Sequence, residues 1–138
     1  MKHILNQEKI RLLTEQYNLK LLLLFGSQAS GATHALSDYD FGYVSERTLD
    51  YAEQANLQND LVQAVGFGNV EAINLSAAGP FLLREVIKNH QVVFAVGDSY
   101  ERFYTYAVQT YLDEQRLFDL DQILYQQTLK KYQKQYVE

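Results

Sequence analysis

The chain has 138 residues, enough for one domain with a real core and too few for two ordinary ones. Hydrophobic residues make up 47% and charged residues 21%, which excludes a disordered or collagen-like chain, and the absence of cysteine excludes a disulfide framework or a thiolate metal site. A net charge of −5 argues against sequence-blind adhesion to a phosphate backbone, so no direct nucleic-acid binding is expected, while one nucleotide held through metal ions is compatible with it.

In chain order, Ile10, Leu13 and Tyr17 within "NQEKIRLLTEQY" repeat at i, i+3 and i+7 and predict an amphipathic helix. "KLLLLFG" is short and continuously apolar, the pattern of a buried strand stopped by Gly26. It is also the longest apolar run, far short of a membrane span. The opening "MKHILNQEKIRLL" has no secretory h-region, so a cytoplasmic location without membrane association is expected. "DYDFGYV", Asp38 to Val44, predicts a second strand with Asp38, Asp40 and Gly42 on one face and Tyr39, Phe41 and Tyr43 on the other.

Asp50 and Glu53 have the capping-box spacing, and Leu57, Leu61 and Val65 continue a helix from about Tyr51 to Val65 that "GFGN" breaks. "VEAINL" predicts a short strand, "FLLREVIKN" a helix with Pro80 in its first turn, and "QVVFAV" a strand ending at Gly97. Asp98 and Glu101 repeat the capping-box spacing ahead of a helix towards Phe118. The remainder reads as a further helix carrying an aromatic stripe of Tyr125, Tyr132 and Tyr136. Strands alternating with helices, without repeats or linkers, predict a single α/β domain over 1–138 in which 119–138 is a C-terminal helical extension.

The strand face with Asp38 and Asp40 presents two hard oxygen ligands roughly 7 Å apart by strand rise, close enough to share metal ions. Two carboxylates at that spacing repel unless a cation lies between them, and Mg²⁺ suits because it takes one or two protein carboxylates plus water and substrate phosphates. Gly26-Ser27 ends the preceding strand, where glycine permits close approach and backbone N–H groups with a hydroxyl can hold phosphate oxygens. No Gly-Lys-Ser/Thr follows, so the turn is not a Walker A loop.

Gly26-Ser27, ten residues, then Asp38-Tyr39-Asp40 resembles the GSx10DxD signature of the DNA polymerase beta-like nucleotidyltransferases. Length and element order resemble, more narrowly, the minimal nucleotidyltransferases that act as antitoxins beside HEPN-domain toxins, over roughly residues 5 to 118. The resemblance implies a small mixed β-sheet flanked by helices, with further helices at the C-terminus. It implies transfer of AMP from ATP to a hydroxyl, a tyrosine of a HEPN ribonuclease toxin, with release of pyrophosphate. Gly26 and Ser27 would hold the β,γ-phosphates, Asp38 and Asp40 would ligate two Mg²⁺, and Glu71 would be the third acid and help deprotonate the acceptor.

The sequence departs from that pattern in three ways. Glu71 is one methylene longer than the usual aspartate, Gln28 and Ser30 stand where relatives often carry arginine, and Asn74 replaces a frequent second acid. A binding antitoxin that keeps the fold and neutralises its partner by covering it is therefore the alternative. An antibiotic-modifying transferase is disfavoured, since it needs an added substrate domain.

Other motifs have plainer readings. Arg84 and His90 have an Arg-x5-His spacing like that of HEPN ribonucleases but read as a surface arginine and a helix-end histidine. His34 reads as an exposed loop residue and Ser37 as a local turn former. The tyrosine stripe is equally compatible with core packing and with partner contact. Oligomeric state, homodimer included, is left open.

Overall fold

A computed structural model describes residues 5–26, 38–66 and 68–136. The first helix, α1 (Gln7–Gln16), starts where the Asn6 side chain accepts the Lys9 N–H at 3.1 Å. Four strands follow, β1 (Leu19–Phe25), β2 (Tyr39–Ser45), β3 (Val70–Asn74) and β4 (His90–Ala95), in the spatial order β3-β2-β1-β4. β1 pairs antiparallel with both β2 and β4, and β2 pairs parallel with β3 through the crossover helix α2 (Tyr51–Val65). Helix α3 (Pro80–Lys88) precedes β4, and the long α4 (Ser99–Tyr136) follows it. The chain thus forms the expected α/β domain with a small mixed sheet.

β1 is central and buried on both faces, which is why it reads as a run of leucines without polar alternation. Its register slips between Leu19 and Leu21, so Lys20 is the extra residue of a bulge. Leu19 therefore faces the same way as Leu22 and Leu24, into the core under α1 and α2 with Phe41, Tyr43, Leu57 and Leu61. Leu21, Leu23 and Phe25 face the other core, made with Leu75, Leu83, Val86, Phe103 and Ala107 from the elements on the opposite side. Gly42 is required there: a Cβ at this position would sit 2.7 Å from the Leu75 side chain, which seats directly on the sheet.

Helix α2 carries the capping box expected of Asp50 and Glu53, and Gly66 closes it in the left-handed conformation. At the head of α4 the Asp98 carboxylate accepts from Arg102 Nε at 2.8 Å. The two helical stretches expected on either side of Phe118 are one element of 38 residues, about 57 Å long at 1.5 Å per residue. Phe103 and Ala107 bury its first turns, whereas every residue from 112 to 135 is exposed. Tyr125 and Tyr132 lie on that exposed part, and the Tyr136 side chain lies outside the described residues.

Candidate active site

The acids meet at one end of the sheet because of strand register. Asp40 stands opposite Phe25, the last residue of β1, and opposite Glu71 in β3. Asp38 lies two residues before Asp40, and its Oδ1 accepts from the Asn69 side-chain amide at 3.2 Å while the Asn69 carbonyl accepts the Tyr39 N–H at 2.8 Å. Asn69 thus ties the start of β2 to the start of β3 and holds the Asp38 carboxylate. No sequence spacing pointed to it; the only cue was its place at the end of the "GFGN" break.

Gly26 closes the site from the β1 side. Its φ is +77°, and a Cβ there would lie 2.8 Å from Asp40 Oδ2, so the glycine backbone packs directly against the carboxylate. Burial, then the charge of Glu71 and that of Asp38, push the Asp40 carboxyl above its ordinary range. The register thus sets Asp40 beside Glu71, with Asp38 two residues before it at the same end of the sheet. Ser27, the other expected phosphate ligand, lies outside the described residues, as do Gln28, Ser30, His34 and Ser37.

Among the described residues, no three of His, Cys, Asp and Glu converge to enclose a metal ion. The donor set is nevertheless right for Mg²⁺, which keeps several waters and is completed by substrate phosphates rather than by a closed protein cage. Burial raises the Asp40 carboxyl first, and the further rise from the charges of Glu71 and Asp38 is the part a divalent cation relieves.

The other singled-out residues have structural duties. Asn74 lies at the far end of β3 from Glu71, and its side chain accepts the Ser76 N–H at 3.0 Å, capping the 3₁₀ turn Leu75–Ala77. Arg84 stacks 5.4 Å over the Tyr111 ring. His90 Nδ1 lies 2.9 Å from the Val86 carbonyl and must carry its proton there, so Nε2 accepts from the Tyr100 hydroxyl at 2.8 Å. Arg84 and His90 therefore serve separate contacts. A cleft of about 620 Å³, lined in part by Lys20, Val44, Ser76 and Arg102, opens at the other end of β1 and β2 from Asp40 and is not the carboxylate site. No described helix is long and apolar enough to cross a membrane.

Known proteins are similar to this chain in sequence and fold. The protein adenylyltransferase MntA of Shewanella oneidensis is 27% identical over 124 residues, 87% of this chain and 88% of that protein. The crystal structure of a toxin-antitoxin with AMP-PNP superposes with a TM-score of 0.69 at 27% identity, covering 87% of this chain and 99% of that one. The structure of a tri-AMPylated Shewanella oneidensis HEPN toxin in complex with MNT antitoxin shares the fold, with a TM-score of 0.63 at 24% identity over 86% and 96% of the two chains. The family described as Polymerase beta, Nucleotidyltransferase matches residues 8–98, a span that contains Gly26 and all three acids. By that match over more than half of its length, the chain belongs to the polymerase beta nucleotidyltransferase family.

Proposed function

We propose that this chain is a cytoplasmic, Mg²⁺-dependent protein adenylyltransferase that moves AMP from ATP to a tyrosine hydroxyl of a HEPN ribonuclease toxin and silences it as its antitoxin. The observation that carries the reading is the strand register that sets Asp40 beside Glu71 and against Gly26, with Asp38 two residues before it. It is supported by the family match and by a relative named as a protein adenylyltransferase.

In this reading Asp38 and Asp40 would hold two Mg²⁺ and Glu71 would complete one of the sites. The ions, when bound, offset the triphosphate charge and stabilise the departing pyrophosphate. The chain supplies position. Gly26 brings backbone close to the Asp40 carboxylate, Gly26 and Ser27 would take the β,γ-phosphates, and Asn69 keeps the Asp38 carboxylate from swinging away. Glu71 accepts the proton of the attacking hydroxyl, whose oxygen bonds to the α-phosphorus as the α–β bridge breaks.

The test is label transfer to a HEPN-domain protein co-purified or mixed with this chain, from α-labelled and γ-labelled ATP with Mg²⁺. Label from the α position only, lost in Asp38→Asn/Asp40→Asn, is the expected result. No label alongside a tight complex and silenced ribonuclease would overturn the enzymatic reading and leave a binding antitoxin, the alternative that the longer reach of Glu71 favours.

A further inference from the structure

Helix α4 leaves the domain with apolar residues on more than one side. At 3.6 residues per turn, Phe118, Tyr125 and Tyr132 recur every seven positions and form one stripe, on the same side as Phe103 and Ala107 in the core. Leu117, Leu120, Ile123 and Leu124 point about 80° to 160° away from that stripe. Both sets lie in water: Phe118 is 57% exposed, Tyr125 59%, Leu120 50% and Ile123 55%. From 117 to 125 the polar residues are Asp119, Asp121 and Gln122, so the helix is apolar nearly all round. Helices of that kind are enclosed by neighbours.

A second copy lying alongside would cover one stripe and leave the other wet. Covering both needs a groove between helices, the mode in which an amphipathic or apolar helix is gripped from two sides. Beyond the apolar segment stand Lys130, Lys131 and Lys134, a cationic tip on a chain of net charge −5. An acidic rim on the groove would match that tip.

We propose that the exposed part of α4 is a docking arm that inserts into an acidic-rimmed apolar groove between helices of the partner protein. The identity of that partner as the HEPN toxin rests on the function proposed above. The arm supplies none of the three acids, which lie on or beside β2 and β3, so holding the partner and modifying it are tasks of different elements.

The experiment measures binding of the full-length chain to the HEPN protein. Leu120→Glu/Leu124→Glu and Phe118→Glu/Tyr125→Glu are each expected to weaken the complex at least about tenfold, because each removes one wall's contacts. Lys130→Glu/Lys131→Glu/Lys134→Glu is expected to weaken it about three- to tenfold at low salt and less at high salt. AMP-PNP binding with Mg²⁺ by each arm variant is expected to match wild type, which shows that the domain is folded. An effect from only one of the two apolar pairs would overturn the groove in favour of one-sided packing. So would a wild-type homodimer dissolved by either pair, and no effect from any variant would remove the arm from the interface altogether. Asp38→Asn/Asp40→Asn is expected to keep binding, so failed transfer with intact binding counts against the catalytic reading alone.

Discussion

Asp40 shows how a site residue works against the fold that holds it. Folding brings its carboxyl into a half-buried place beside Glu71 and Asp38, which raises its proton affinity above that in the unfolded chain. A native state that binds the proton more tightly loses stability as pH rises out of the carboxylate range, so at neutral pH the ionised group is a cost. Asp40→Asn is therefore expected to raise the melting temperature by about 1–3 °C in metal-free buffer while abolishing transfer. Calorimetry with chelator present checks this, and Mg²⁺ should stabilise wild type but not the variant. A lower melting temperature for the variant would show that the carboxylate contributes to the fold. Gly26 has the opposite balance: Gly26→Ala puts a Cβ at 2.8 Å from Asp40 Oδ2 on a left-handed backbone, for an expected loss of about 1–2 kcal/mol in urea unfolding. Tyr17 supplies the pH dependence on the alkaline side. It is 2% exposed and donates to Asp60 Oδ2 at 2.7 Å, and burial, followed by that hydrogen bond, pushes its phenol up. The folded chain keeps this proton after the unfolded chain begins to lose it near pH 10, so the associated stability is full below about pH 10 and drains above it. Tyr17→Phe is expected to cost about 0.5–1.5 kcal/mol at pH 7, with the gap closing above pH 10. Tyr43 and Tyr100, also raised chiefly by burial, keep part of the alkaline loss in the variant. A gap that stays constant to pH 11 would mean the phenol does not report on folding.

At the scale of elements, local chemistry sets the boundaries that sequence could foretell. The Asp50 carboxylate takes the Glu53 N–H at 2.8 Å and Glu53 returns the bond at 3.2 Å, so Asp50→Ala is expected to cost about 1 kcal/mol, read from chemical denaturation. Capping residues, a leucine run for a strand buried on both faces, and period-two alternation in "DYDFGYV" all act within a few residues, which is why helix α2 and strands β1 and β2 were legible. The carboxylate pair was legible for the same reason. What escaped was set by contacts between distant segments. The bulge at Lys20 follows from pairing with β2, and Asn69 meets Asp38 from 31 positions away. Asn74 was seen as a missing acid, but its role as a cap depends on the 3₁₀ turn that seats Leu75 over Gly42. The sequence predicts one helix towards Phe118 and a further helix with an aromatic stripe beyond it, where the structure has a single element. Neither glycine nor proline occurs after Gly97 to interrupt it, so the backbone had no reason to stop.

For the molecule as a whole, the division between domain and arm has a thermodynamic consequence. Of the two hydrophobic cores only the one built on Leu21, Leu23 and Phe25 takes residues of α4, Phe103 and Ala107, and Tyr111 gives a last contact by stacking under Arg84. Residues from 112 onward remove little apolar surface from water within this chain, so folding of the domain draws almost nothing from them. An isolated helical arm of that length gains marginal stability from its own hydrogen bonds and holds its shape chiefly by continuing a helix already nucleated in the domain. A chain ending at Gln115, which keeps Tyr111 and one turn beyond it, is therefore expected to unfold in a single transition within about 2 °C of the full-length protein. Its loss of exposed leucines and aromatics should also reduce self-association at high concentration, measured by light scattering. A melting temperature lower by ten degrees or more would mean that the arm folds back on the domain in solution and shares its core. A matched melting temperature with lost partner binding would make the last 23 residues a purchase on another protein, kept at the expense of apolar surface that this chain alone leaves in water.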